Sequence, residues 1–235
     1  MMIDSFIISV INPLPGLELD FITDEPTGVV TTIQLLLLLT VLSLAPAILI
    51  LMTSFTRIVI VLSFVRQGLA TQTMPPNQVI IGLALFLTFF IMAPIFAEIN
   101  DVAITPLSNG EISQDEAFAL AVVPIKEFMA SHTRERDLAL FMGYAGLEQP
   151  ETLDDIPLTA LIPAFAISEL KTAFQMGFLI FVPFLVIDMI VASVLMSMGM
   201  MMLPPIMIAL PFKILLFVLV DGWYLIVQSL LISYS

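Results

Sequence analysis

Four apolar stretches, each interrupted by proline or an isolated charge, constrain this chain more than any other feature. They cover residues 33–65, 79–97, 173–196 and 206–232. As one helix, 33–65 would run about 50 Å at ~1.5 Å per residue, against a hydrocarbon layer of ~30 Å. A single straight span is therefore not expected. Pro46 is expected to kink it, and Thr53-Ser-Phe-Thr-Arg57 to mark a polar exit or the start of a second short helical piece. The second stretch has the length of one crossing. The third contains Pro183 and Asp188, and the fourth Pro211, Lys213 and Asp221. Proline pairs at Pro75-Pro76 and Pro204-Pro205 fall between consecutive stretches and read as hairpin tips.

Charge placement agrees with a membrane chain. Of 235 residues, 60% are hydrophobic and 11% charged, outside the usual range of soluble domains. The net charge of −13 is concentrated in two polar segments: residues 1–28 carry −5 and residues 98–155 carry −9. The apolar parts hold only Arg57, Arg66, Glu169, Lys171, Asp188, Lys213 and Asp221. Clustered cations, which nucleic-acid binding requires, are missing. Cysteine is absent, which excludes disulfides and thiolate metal sites.

These features predict an all-α integral membrane protein of kinked helical hairpins, with about four hydrophobic helical stretches and a small helical segment between the second and third. Its parts are an external N-terminal segment (1–28), a first hairpin (29–97), an acidic helical segment (98–160) and a second hairpin (161–235) carrying a Met-rich loop at 196–205. Arg57 and Arg66, bordering the 66–78 connection, put that tip on the cytoplasmic side. Both termini and the acidic segment then fall outside, and the Met-rich tip faces the same way as the arginine tip. The start, "MMIDSFIISVIN", lacks the basic region of a signal peptide.

In the acidic segment, "SQDE" at 113–116 has the spacing of a capping box. Pro124 suits the first turn of a following helix, which places Ile125, Phe128, Met129 and His132 at helical spacing; two or three short helices are expected. His132 reads as a partly packed surface residue. Glu148, Glu151, Asp154 and Asp155 lack the glycine-turned loop of a calcium site and read as a solvated loop.

Five blocks carry a resemblance: "LMTSFTRIVIVLSFVRQGL" (51–69), "PPNQVIIGLALFLTFFIMAP" (75–94), "PAFAISELKTAFQMGF" (163–178), "ASVLMSMGMMMLPP" (192–205) and "LPFKILLFVLVDGW" (210–223). Together they resemble the FliP family, core membrane proteins of the bacterial flagellar type III export gate, in order over roughly residues 33–228. The resemblance implies a ring of five copies assembled with FliQ and FliR, alongside FlhB and other export-apparatus proteins. It also implies a location in the bacterial inner membrane at the flagellar basal body, with the acidic segment periplasmic. The expected cargo is unfolded secreted polypeptide; no cofactor and no enzymatic role are expected.

Within that frame, residues 196–202, with five methionines in seven positions, acquire a purpose. Methionine is flexible and polarizable and makes non-specific contact with whatever passes. Copies of Met198, Met200, Met201 and Met202 around an axis would form an apolar constriction that closes by dewetting, resembling the family's methionine gasket. Gly199, Pro204 and Pro205 supply the turn chemistry that projects the loop. The charges Glu169, Lys171, Lys213, Asp188 and Asp221 are expected to face protein or water, within a subunit or between subunits; Glu169 is expected to pair with Lys213, and Asp188 is a candidate for proton coupling or structural pairing.

Alternatives remain at this level. Thioethers also select Cu(I), yet a copper carrier would want Cys or more than one His. An oligomeric secondary transporter would suit broken helices with midplane charges, although no internal repeat is evident. The same gate in a virulence injectisome shares the core blocks.

Overall fold

The computed structural model describes residues 39–40, 42–71, 73–148, 150–200 and 202–234. The expected N-terminal segment 1–28 lies outside them. Two compact units are present, residues 1–47 and 48–235. In the first, the described residues are helical, and the Ser43 hydroxyl donates to the Thr40 carbonyl at 2.7 Å.

Helix α1 (Leu42–Met52) runs through Pro46 without interruption; the break falls instead at Thr53–Ser54. There the Thr53 hydroxyl donates back to the Leu49 carbonyl and accepts from the Phe55 amide at 3.3 Å. A hydroxyl that competes for backbone groups ends the helix where the proline does not. Helix α2 (Phe55–Gly68) follows, then the Pro75-Pro76 tip and α3 (Asn77–Ile99). A π turn at Asn100–Ile104 carries α3 into the short α4 (Thr105–Ser108), so the first hairpin's second arm extends past residue 97.

The acidic segment folds as α5 (Gln114–His132) and α6 (Glu135–Tyr144). Its capping box is complete: the Glu116 amide donates to Ser113 Oγ, and the Glu116 carboxylate accepts from the Ser113 amide. Pro124, expected at the start of a separate helix, lies inside α5, buried in its continuous run. The proline is buried there, and the helix continues without the one backbone hydrogen bond that its missing amide forfeits.

Helix α7 (Leu158–Ser197) is 40 residues long and passes through Pro163 and Pro183. It begins well before the expected third stretch. At ~1.5 Å per residue it extends about 60 Å, twice a hydrocarbon layer, so a good part of it lies beyond any single straight crossing. Helices α8 (Pro205–Leu219) and α9 (Gly222–Ile232) form the fourth stretch, bent by 61° at the break. Asp221 caps α9 in the left-handed conformation at φ +51°. By length and composition, two helices are able to cross a membrane, Asn77–Ser108 and Leu158–Ser197, and up to four if each broken pair counts as one. Among the described residues no strand occurs.

Packing sets the directions of the arms. Helix α2 makes its most extensive contact with α7. Arg57 meets Glu169, Phe64 lies against Gly177 and Gly68 against Phe184. Both residue numbers rise together, so α2 and α7 run parallel. A Cβ at Gly177 or Gly68 would stand 2.4 or 2.5 Å from a phenylalanine ring, which explains why both sites are bare. The core of Ile58, Val61, Leu62 and Val65 from α2 joins Ile80 and Ala84 from α3, with Phe217 and Leu230 from the last two helices. A second cluster, Met92, Phe128, Met129, Leu161 and Phe165, fixes the acidic segment against α3 and the start of α7.

Candidate functional site

The Met-rich loop closes the α7–α8 hairpin. Gly199, at φ +74°, sits in the left-handed region where a side chain would be strained. Its amide donates to the Met196 carbonyl at 3.0 Å, and the Met200 amide donates to the Leu195 carbonyl at 3.0 Å. This is a Schellman ending, which turns the chain sharply off the helix axis. Pro204 then caps α8, with Pro205 at its first position, where a missing amide costs nothing. Met196 and Met198 are exposed and Met202 is 99% exposed, while Met200 is half-buried. Met201 lies outside the described residues. The tip therefore projects its thioethers instead of packing them into the chain's own core.

Behind the tip, Lys213 Nζ donates to Asp188 Oδ2 at 2.6 Å, and the Phe184 and Phe217 rings meet at 6.2 Å. Both pairs are centred between residues 200 and 201. The expected Glu169–Lys213 pair does not form. Antiparallel hairpin register puts Lys213 opposite Asp188, whereas Glu169 lies some 28 Å farther along α7 at ~1.5 Å per residue. That register was available from the sequence, since the two charges stand equally far from the tip. Between the arms near the tip runs an apolar groove of about 410 Å³, lined by Ile190, Val194, Leu195, Ile208 and Phe212.

Glu169 is fully buried and is held by Arg57. Arg57 Nε donates to Oε2 at 2.9 Å, and Nη2 donates to Oε1. The remaining guanidinium nitrogen, Nη1, donates to the carbonyl and hydroxyl oxygens of Ser233, both at 3.0 Å. Tyr234 lays its ring over the guanidinium, 3.9 Å to the centroid, and its hydroxyl donates to Glu169 Oε2. A forked, fully hydrogen-bonded pair of this kind offsets the cost of burying two charges. The Tyr234 ring also lies 4.9 Å from His132 and 5.9 Å from Phe128, which brings the acidic segment into the same cluster. Tyr234 and Ser233 carry no sequence signal for this role.

Arg57 therefore sits at the end of α2 next to the acidic segment, about 14 Å along the axis from Arg66, and does not border the 66–78 tip. Only Arg66 marks that tip. Lys171 and Asp221, expected to face protein or water within or between subunits, are exposed on this chain; among the described residues neither forms a salt bridge.

On the acidic segment, the Arg134 amide donates to Ser168 Oγ at 3.1 Å, and Ser168 in turn donates to Asp137 Oδ2 at 2.7 Å. Desolvation, the largest influence, pushes the Asp137 carboxyl up, but the Ser168 hydroxyl, Arg134 and Lys171 together hold it below its ordinary value. Asp155 caps the amides of Glu151 and Thr152, so this acidic loop spends its carboxylate on its own backbone. The acidic segment docks at the early part of α7 and the Met tip lies at its end, so the two occupy opposite ends of the second hairpin. Arg66 and the Met tip lie toward the same end, as expected.

The sequence matches the FliP family over residues 38–230. It is 73% identical over 214 residues to the flagellar biosynthetic protein FliP of Bacillus subtilis (strain 168), covering 91% of this chain and 97% of that protein. Similar relatives with the same description occur in Pectobacterium carotovorum subsp. carotovorum, 51% identical over 94% of this chain and 86% of the relative, and in Aquifex aeolicus (strain VF5), 51% identical over 88% of each. With apolar broken helices, a projecting methionine tip and this continuous similarity, the chain belongs to the FliP family of flagellar biosynthetic membrane proteins.

Proposed function

We propose that the protein is a pore-forming subunit of the flagellar type III protein export gate, passing unfolded flagellar proteins through a constriction ringed by methionine. In this reading several copies, five by resemblance to the family, surround one axis together with FliQ-like and FliR-like chains, and FlhB-like and other export-apparatus proteins act alongside. The assembly sits in the inner membrane with the acidic segment on the periplasmic side. The observation that carries the reading is the Met tip: a rigidly capped turn holds Met198 and Met202 outward, with Met202 almost wholly exposed. An isolated apolar side chain held in this way gains nothing from its own chain. Copies that meet at one axis would bury it, and an apolar ring there excludes water and ions when idle.

The test is ion leak. Cells or vesicles carrying the assembled gate with Met198, Met200 and Met202 all replaced by alanine should conduct small ions at rest, while the unaltered gate stays closed. Resting conductance that does not change removes the constriction from the reading.

A further inference from the structure

Arg66 presents a charge that the chain leaves unanswered. It lies in the last turn of α2, half-buried, and among the described residues its guanidinium has no ion pair or hydrogen-bond acceptor. Together with Thr71, Phe181, Asp188, Ile206 and Lys213 it lines a cavity of about 340 Å³. Lys213, only 2% exposed, is neutralised by Asp188 through Oδ2. The other oxygen of that carboxylate, Oδ1, is buried with no donor. The cavity wall thus joins two cations and one anion, and one oxygen of that anion is buried without a donor.

An occupant that completes it must bring a negative charge for Arg66 and an N–H or O–H donor for Asp188 Oδ1. Water brings the donor without the charge. A simple anion brings the charge but leaves Phe181 and Ile206, which form part of the wall, without an apolar partner. One chemical class supplies all three: a phospholipid whose headgroup carries an ammonium or hydroxyl beyond its phosphodiester. Basic pockets between membrane helices near a hairpin tip capture such phosphates, and Arg66 lies at the end of an apolar helix, where a headgroup resides. We propose that this cavity is a phospholipid headgroup site. The phosphodiester rests on Arg66 and Lys213, the headgroup ammonium or hydroxyl donates to Asp188 Oδ1, and the acyl chains leave past Ile206.

The experiment measures lipid retained by the intact assembly in detergent, by native mass spectrometry, with phosphatidylethanolamine, phosphatidylglycerol or phosphatidylcholine added. Choline has a phosphodiester but no N–H or O–H. The first two lipids should be retained about tenfold more strongly than phosphatidylcholine, the scale of one hydrogen bond to a charged group. Arg66→Gln should remove most of that retention, and millimolar inorganic phosphate should not displace the lipid. Equal retention of phosphatidylcholine overturns the proposal, as does retention unchanged in Arg66→Gln. Displacement by inorganic phosphate would make it a soluble-anion site. If Arg66→Gln altered the number of copies and left lipid binding intact, a neighbouring chain's carboxylate would be the occupant, and the proposal would be wrong. The lipid series on the unaltered protein decides the matter even if the variant fails to assemble.

Discussion

At the scale of single residues, substitution costs most where charge is buried. Arg57 satisfies Glu169 with a forked pair, Ser233 with two further hydrogen bonds, and Tyr234 through its ring face. Removing one partner leaves the other charged and dry. Arg57→Ala should therefore destabilise the chain by about 3–5 kcal/mol, read as a lower temperature of aggregation in detergent. Tyr234→Phe, which deletes only the hydroxyl donated to Glu169, should cost about 1.5–3 kcal/mol. From the sequence Arg57 reads as a basic residue bordering the 66–78 tip, not as the partner of a buried acid. Which acid was not legible, because Glu169 lies 112 positions away on another hairpin and only tertiary packing brings them together. Lys213 differs, since it and Asp188 stand equally far from the middle of the 196–205 loop.

At the scale of elements, local rules succeeded where local groups decide the outcome. The capping box at Ser113 and Glu116 and the proline-paired tips were readable because each depends on neighbours within a few positions. Helix continuity was not readable in the same way. Pro46, Pro124, Pro163 and Pro183 are all breakers by propensity, yet helices run through each, because a proline removes one backbone hydrogen bond and the apolar run on either side of it stays helical. In the acidic segment, Glu116 is held below its ordinary value by the Ser113 amide and hydroxyl, and Asp137 is also low. Carboxyls depressed on folding add stability above their ordinary range, and that stability is lost as pH falls through their folded values. Amide exchange in residues 113–144, taken relative to the intrinsic rate at each pH, should therefore accelerate as pH drops below about 4, with exchange in α2 lagging. Equal acceleration throughout would rule out this local origin. The α7–α8 register has its own test. Asp188→Lys or Lys213→Asp alone should reduce the assembled fraction several-fold, since each buries like charges together, and the double swap should recover much of it. Assembly in the double variant no better than in either single one would contradict the pairing.

At the scale of the whole molecule, apolar surface is left over in quantity. Phe86, Phe89 and Phe90 on α3, Phe174, Phe178 and Leu179 on α7, and Leu215, Val218 and Leu219 on α8 are all exposed. A soluble monomer does not carry such surface; lipid or other protein must cover it. The composition announced this much at once, with 60% hydrophobic residues. It did not reveal how the surface divides between lipid and other copies, because both partners are apolar and select the same side chains. The family resemblance, which extends over nearly the whole chain, supplies the expectation of a ring. The gating account then depends on one spatial relation: the Met tips of different copies meet near a common axis. The natural absence of cysteine makes this directly measurable. With Met202→Cys as the only thiol in the chain, mild oxidation of the assembled gate in membranes should give disulfide-linked dimers of this chain in high yield. Reaction of that thiol with membrane-soluble maleimide, with no cross-link between copies, would place the tip in lipid and contradict the account.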